Sequence, residues 1–249
     1  MFQIKKLTDG NFTELCWDGR NGYIAAFDKK IQKIRVIDPV LGRDIYSFRA
    51  LPHAMCFDIY GRLIVCDENE ETIVRNDHYA PAVFGRDADG KKVKPIDVLV
   101  HSCGAYFVLG IDSLYYVIPE GRAIFDACPQ RKTEGKSFCL AKDEAGILYI
   151  RSTDGRIIFA EFTPEGKFGI ERTVVYDCEF GDAFPEKIVT DESGKIYCSA
   201  DDKLFIFNQF GRKLETVQIG EIRGVTCINE DGAVLIALPD GIYRVEVKC

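Results

Sequence analysis

The chain has 249 residues, 47% of them hydrophobic and 29% charged, with a formal net charge of −7. That composition supplies a buried core and excludes a low-complexity chain. The acidic balance, with DGKKVK at 89–94 as its densest basic stretch, argues against nucleic acid or an anionic membrane as partner.

The first strand signal is MFQIKKLT (1–8), which stands ahead of any repeat. It lacks the apolar run of a secretory leader, and no later run reaches bilayer length, so a cytoplasmic protein is expected. From there one unit recurs: a short apolar strand, a polar turn ending in glycine, then a second apolar strand. Its copies are CWDGRNGYIAAFD, CFDIYGRLIVCD, VLVHSCGAYFVLG, LAKDEAGILYIRS, IVTDESGKIYCSA and CINEDGAVLIALPDG. The turn glycines Gly22, Gly61, Gly104, Gly146, Gly194 and Gly232 are 39, 43, 42, 48 and 38 residues apart. Passing from Gly232 off the C-terminus and round to Gly22 adds another 39, and closure in count suggests closure in space.

Each copy continues into further strands, as in QKIRVIDPVLGRDIYSF and DKLFIFNQFGRKLETVQI. Alternation at a period of two, β-branched and aromatic residues, and glycine at the turns are hairpin chemistry, and long helical faces are missing. Units of roughly 40 residues with four short strands are the blades of a β-propeller. The last unit ends GIYRVEVKC after three strands, so residues 1–8 are expected to complete it. The expectation is therefore an all-β, six-bladed β-propeller forming a single domain over residues 1–249; seven blades do not fit the spacing.

The ten cysteines lie far apart, at 16, 56, 66, 103, 128, 139, 178, 198, 227 and 249, without a C-x-x-C pair. Several sit inside apolar runs, where free cysteine behaves as a small hydrophobe, so reduced structural thiols are expected.

In a propeller the residues just before each innermost strand gather at one mouth of the central channel. Eight or nine residues before each turn glycine stand Thr13 and Glu14, Pro52 and His53, Pro95 and Ile96 with Asp97 next, Ser137 and Phe138 with Lys136 before, Pro185 and Glu186, and Arg223 and Gly224. This ring is the expected site. Proline one place before the register in three copies suits a strand's first residue, which needs no donor. Glu186 and His53 offer acid–base chemistry there, Asp97 a carboxylate or a strand tie, and Lys136 and Arg223 positive charge for a carboxylate or an oxyanion. Phosphate loops, dinucleotide glycine fingerprints, H-E-x-x-H and G-x-S-x-G are all missing, which removes those classes.

The stretch GDAFPEKIVTDESGKIYCSADDKLFIFNQFGRKLETVQIG resembles the P-D-G-x-x-x-D-x-x-G-x-x-Y blade of the senescence marker protein/gluconolactonase, or regucalcin-like, propellers. GVTCINEDGAVLIALPDGIYRVEV resembles that family's final blade. The resemblance implies hydrolysis of a lactone or related small ester in the channel, with one divalent cation (Ca, Zn or Mn) polarising the carbonyl. Residue by residue, the family's Asp in P-D-G falls on Glu186, and its Asn in P-N-G on Ser137 or its neighbour. Its Asn in R-P-N-D falls on Ile96, with the following Asp97 kept, and its Glu in E-G-P-x-W on Thr13, with Glu14 one place off. The resemblance thus nominates Glu186, Ser137 and Glu14 as metal ligands; within the ring of entry residues, Arg223, Ser137 and Glu14 are available to bind substrate.

Two alternatives stay open. One is a metal-free small-molecule enzyme on the same scaffold with Glu186 as general acid or base, similar to strictosidine synthase-like propellers. The other is a non-catalytic propeller that binds a small molecule or peptide at its mouth, as NHL-type and WD-repeat propellers do.

Overall fold

The computed structural model describes residues 2–67, 72–75, 82–84, 94–110, 114–117, 124–126, 135–162, 168–228 and 232–247. His78, most of the acidic run at 67–71 and most of DGKKVK lie outside them.

The strands form six four-stranded antiparallel sheets, the blades. Their innermost strands are Phe12–Asp18, Pro52–Phe57, Pro95–Val100, Gly135–Leu140, Lys187–Thr190 and Gly224–Ile228. Each of these touches the next around the axis, and the sixth touches the first, which closes the ring. Blade 6 takes its outer strand from the other end of the chain: Phe2–Asp9 pairs antiparallel with Gly241–Val247, from Phe2 opposite Val247 to Asp9 opposite Gly241. The first and last segments thereby hold each other, and the sixth blade has its full four strands.

The core lies between blades. A second strand such as Tyr23–Asp28 is buried almost throughout, because its two faces both meet a neighbouring sheet. Ile24 and Ala26 pack with Ile228, Leu235 and Ala237 of blade 6, while Ala25 and Phe27 pack with Met55, Leu63 and Val65 of blade 2. The same division gives one apolar cluster at every blade junction. Second strands therefore read as continuous apolar runs, whereas an outer strand such as Arg43–Phe48 is exposed along most of its length.

The repeat turns are held by side-chain acceptors. Asp58 Oδ1 accepts the N–H groups of Tyr60 and Arg62, each at 2.9 Å, and Asp18 and Asn208 act alike in their turns. Blade 4 departs from the pattern expected from its glycine. Gly146 is not in the turn; it opens the strand Gly146–Arg151, where a Cβ would lie 2.2 Å from the Ala160 carbonyl oxygen. The left-handed turn positions are Asp143 and Glu144, with φ of 57° and 53°. Gly146 is thus a packing glycine, and the register of blade 4 runs from Glu144, which moves its entry pair back two places, from Ser137 and Phe138 to Gly135 and Lys136.

Candidate active site in the propeller channel

Four innermost strands carry an extra residue near their start. The pairing skips Glu14 between Thr13 and Leu15, His53 between Pro52 and Ala54, Ile96 between Pro95 and Asp97, and Lys136 between Gly135 and Ser137. Such bulges bend the strand and re-aim the next side chain. In blades 2, 3 and 4 the residue after the bulge, Ala54, Asp97 or Ser137, is the first to line the channel. In blade 1 the bulge residue Glu14 does so itself, and in blade 5 Lys187 does.

The result is a charged layer across the top of a channel cavity of about 280 Å³. Lys187 Nζ donates to Glu14 Oε2 at 2.8 Å and to the His53 carbonyl oxygen at 3.3 Å. The two side chains are 27% and 21% exposed. Asp97 and Ser137 are buried beside them. Asp97 accepts the N–H of Val98 at 2.8 Å and of Phe138 at 3.1 Å, as well as the Ser137 hydroxyl, so it ties blade 3 to blade 4.

Burial pushes the Glu14 carboxyl above the usual carboxylate range, with Lys187 pulling it back. It does the same to Asp97, opposed by Lys187 and by the hydrogen bonds that Asp97 accepts. For Lys187, burial favours the neutral amine, but Glu14 and Asp97 outweigh it and hold the ammonium protonated beyond the ordinary lysine range. The layer is therefore one ammonium set among two carboxylates.

Glu14 adopts φ of +48°, a left-handed conformation unusual for a side chain that is neither Gly nor Asn. Gly224 allows it. A Cβ there would lie 3.0 Å from the Glu14 nitrogen and 3.1 Å from that of Leu15, so the blade 6 backbone passes directly against the blade 1 bulge. Backbone strain of this kind costs about 1–3 kcal/mol and persists where the surroundings enforce it.

Below the charged layer Cys16, Cys56, Cys139 and Cys227 line the cavity. They are not in disulfides, and burial pushes all four thiols well up, so they present neutral, weakly polar walls.

The expected ring of entry residues does assemble at one mouth. A cavity of about 390 Å³ above the charged layer is lined by Glu14, His53, Lys136, Glu186, Lys187 and Arg223, among others. Within it, Glu186 turns outward: it is 54% exposed and stands 3.5 Å from Lys136 Nζ. Arg223 is held at the seam of blades 6 and 1 by Glu221 at 2.8 Å and Asn11 at 2.6 Å.

The three residues nominated as metal ligands do not share a cavity. Glu14 and Ser137 line the channel, whereas Glu14 and Glu186 line the mouth. Among the described residues no three His, Cys, Asp or Glu side chains come together in a way that could hold a metal ion. The Glu14 carboxylate that an ion would need already accepts from Lys187. With Lys187 in place, the nominated trio Glu186, Ser137 and Glu14 does not fit a divalent cation.

Lys187 is the residue that register counting passed over. It follows Glu186 in PEKI, one place further into the strand. The same one-place step marks Asp97 after Ile96, and carrying it to blades 2, 4 and 5 reaches Ala54, Ser137 and Lys187.

No family model and no curated sequence matches the chain. Solved structures do. A gluconolactonase from Xanthomonas campestris superposes with a TM-score of 0.83 at 16% identity, over 99% of this chain and 90% of its own. The chain is a β-propeller of that architecture. A luciferin-regenerating enzyme gives 0.77 at 14% identity, over 99% and 96% of the two chains. Regucalcin from Agrobacterium tumefaciens, a calcium-binding protein, gives 0.74 at 12%, over 98% and 93%. At these identities the likeness is one of fold.

Proposed function

We propose that this propeller is a small-molecule hydrolase that opens a lactone or related small ester in its channel, using Lys187 and Glu14. The observation that carries the reading is the 2.8 Å Lys187–Glu14 pair at the junction of the channel and mouth cavities. An ammonium has three N–H donors. Glu14 and the His53 carbonyl take two, which leaves one for a substrate oxygen. Glu14 Oε2 accepts from Lys187, which leaves Oε1 for a water.

Those two groups supply what ester hydrolysis requires. Glu14 Oε1 takes a proton from water as the water oxygen bonds to the carbonyl carbon. The Lys187 N–H stabilises the negative charge that develops on the carbonyl oxygen. When the carbon–oxygen ester bond breaks, the proton held by Glu14 passes to the leaving alkoxide, and both residues return to their starting state. Burial, by raising the Glu14 carboxyl, makes it a stronger base than an exposed carboxylate. The fold likeness to a gluconolactonase supports the substrate class, and the cavity of about 280 Å³ suits a small ring.

The test is turnover of a panel of small lactones and aryl esters by chelator-treated protein. Hydrolysis that survives chelation and disappears in Glu14→Gln supports the reading. A blank panel, or a Glu14→Gln variant as active as wild type, overturns it.

A further inference from the structure

We propose that the Lys187 ammonium is a tethered cation standing where an oxygen-bound divalent ion would otherwise sit, so that this channel refuses the ion and removing the lysine admits it. The inference rests on the geometry of the charged layer and not on the hydrolase reading.

The groups around Lys187 are hard oxygen donors. Glu14 Oε2 and the His53 carbonyl oxygen contact its nitrogen at 2.8 and 3.3 Å. The Asp97 carboxylate attracts it, and the Ser137 hydroxyl lies beside Asp97. Two carboxylates, a hydroxyl and a backbone carbonyl are the ligand types of Ca²⁺ or Mn²⁺ rather than of a soft metal. They are contributed by four different blades, so ring closure alone brings them together. Their one positive partner among the described residues is covalently attached to blade 5.

A divalent ion at this point has to share Glu14 with the ammonium. Ca²⁺–oxygen bonds are about 2.3–2.6 Å, which sets the two cations only a few ångströms apart in a partly desolvated channel. The ammonium is held in place against Glu14 Oε2 and the His53 carbonyl oxygen, at 2.8 and 3.3 Å. It cannot be diluted away, since it belongs to the chain. Occupancy by Lys187 and occupancy by a divalent ion therefore exclude one another. Without the lysine, buried Asp97 and partly buried Glu14 are left with no counter-charge, which is the condition that draws in a cation.

The experiment titrates Mn²⁺ into chelator-treated, dialysed protein and follows loss of the free-ion paramagnetic resonance signal, with the Ca²⁺-induced shift of the unfolding midpoint as a second readout. Wild type, Glu14→Gln, Lys187→Ala, Lys187→Met and the double variant Lys187→Ala with Glu14→Gln are compared. Expected is no stoichiometric Mn²⁺ in wild type, one equivalent in at least one lysine variant with affinity at least about tenfold above wild type, and its loss in the double variant. Ca²⁺ should raise the midpoint of that lysine variant and leave wild type unmoved. One equivalent of Mn²⁺ bound by wild type and lost in Glu14→Gln overturns the proposal, as does a folded lysine variant that binds no more than wild type. If both lysine variants fold only in the presence of Mn²⁺ or Ca²⁺, the proposal stands; if neither ion recovers them, it falls. None of these readouts depends on turnover, so a failure here is distinct from a failure of the hydrolase reading.

Discussion

Glu186 and Lys187 are consecutive in the chain, yet they belong to different ion pairs in different surroundings. Lys136 and Glu186 meet at 3.5 Å with side chains 42% and 54% exposed, at the rim of the mouth. Lys187 and Glu14 meet at 2.8 Å, beside buried Asp97 and Ser137. An exposed pair contributes about 0–1 kcal/mol, because water screens it and two long side chains must be ordered to make it. Removing one member of a fully buried pair costs about 3–5 kcal/mol, because the charge left behind has lost both water and partner, and the partly buried Lys187–Glu14 pair lies toward that end of the scale. Two ion pairs joined by one peptide bond thus differ in energetic weight through depth alone, and the deeper one is where chemistry is expected.

The sharpest way to break that comparison is Lys187→Met. Its kcat/KM should fall by about a thousandfold, as for loss of an oxyanion donor, with a loss of about 3 kcal/mol in urea unfolding. The stability loss has a pH sign. Burial already raises the carboxyls of Glu14 and Asp97, and Lys187 opposes both shifts. Without Lys187 the native state binds protons more tightly still than the unfolded chain. Stability then declines as pH rises above the ordinary carboxylate range, so the loss should be larger at about pH 8 than at about pH 5. A variant that unfolds like wild type at the higher pH would place both pairs in the same class.

Glu14→Gln should lower turnover by about a hundredfold or more, with a smaller effect on stability because the amide can still accept from Lys187. Gly224→Ala sharpens the comparison without touching charge. Its methyl would meet the backbone at Glu14 at 3.0 Å, so the bulge must shift by a few tenths of an ångström. About a tenfold loss in kcat/KM with near-normal stability is expected, and full activity would show that the position of Glu14 is not critical.

The pH profile reads the same distinction in wild type. Activity should fall as acid protonates Glu14, and the midpoint of that limb should lie above 4.5, the ordinary value, because burial raises it. A midpoint at or below 4.5 would point to an exposed carboxylate at the mouth. The smallest effect belongs to Glu186→Gln: less than about 0.5 kcal/mol in stability and at most a few-fold in rate. Abolished turnover there would move the centre from the channel to the rim.

Much of this molecule could be read from residue order. Six spaced turns, apolar runs for doubly buried second strands, and an unfinished last unit matched by MFQIKKLT led to six blades closed by the N-terminal strand, as found. The entry residues Glu14, His53, Lys136, Glu186 and Arg223 do line one mouth. Asp97 and Ser137 lie one step deeper, joined by a hydrogen bond. Gly146 misled the register because a glycine required for close approach to Ala160 looks, in sequence, like one required for a turn.

Order along the chain fixed which residues reach the axis, because strand period and turn spacing are local properties that each blade carries by itself. Depth was another matter. Whether a side chain stops at the rim or enters the channel depends on a bulge of one residue and on the neighbouring blade that presses against it. Closure of the ring brings Lys187 to Glu14, 173 positions away in the chain, and only that meeting turns two ordinary charged residues into a shared, partly buried pair.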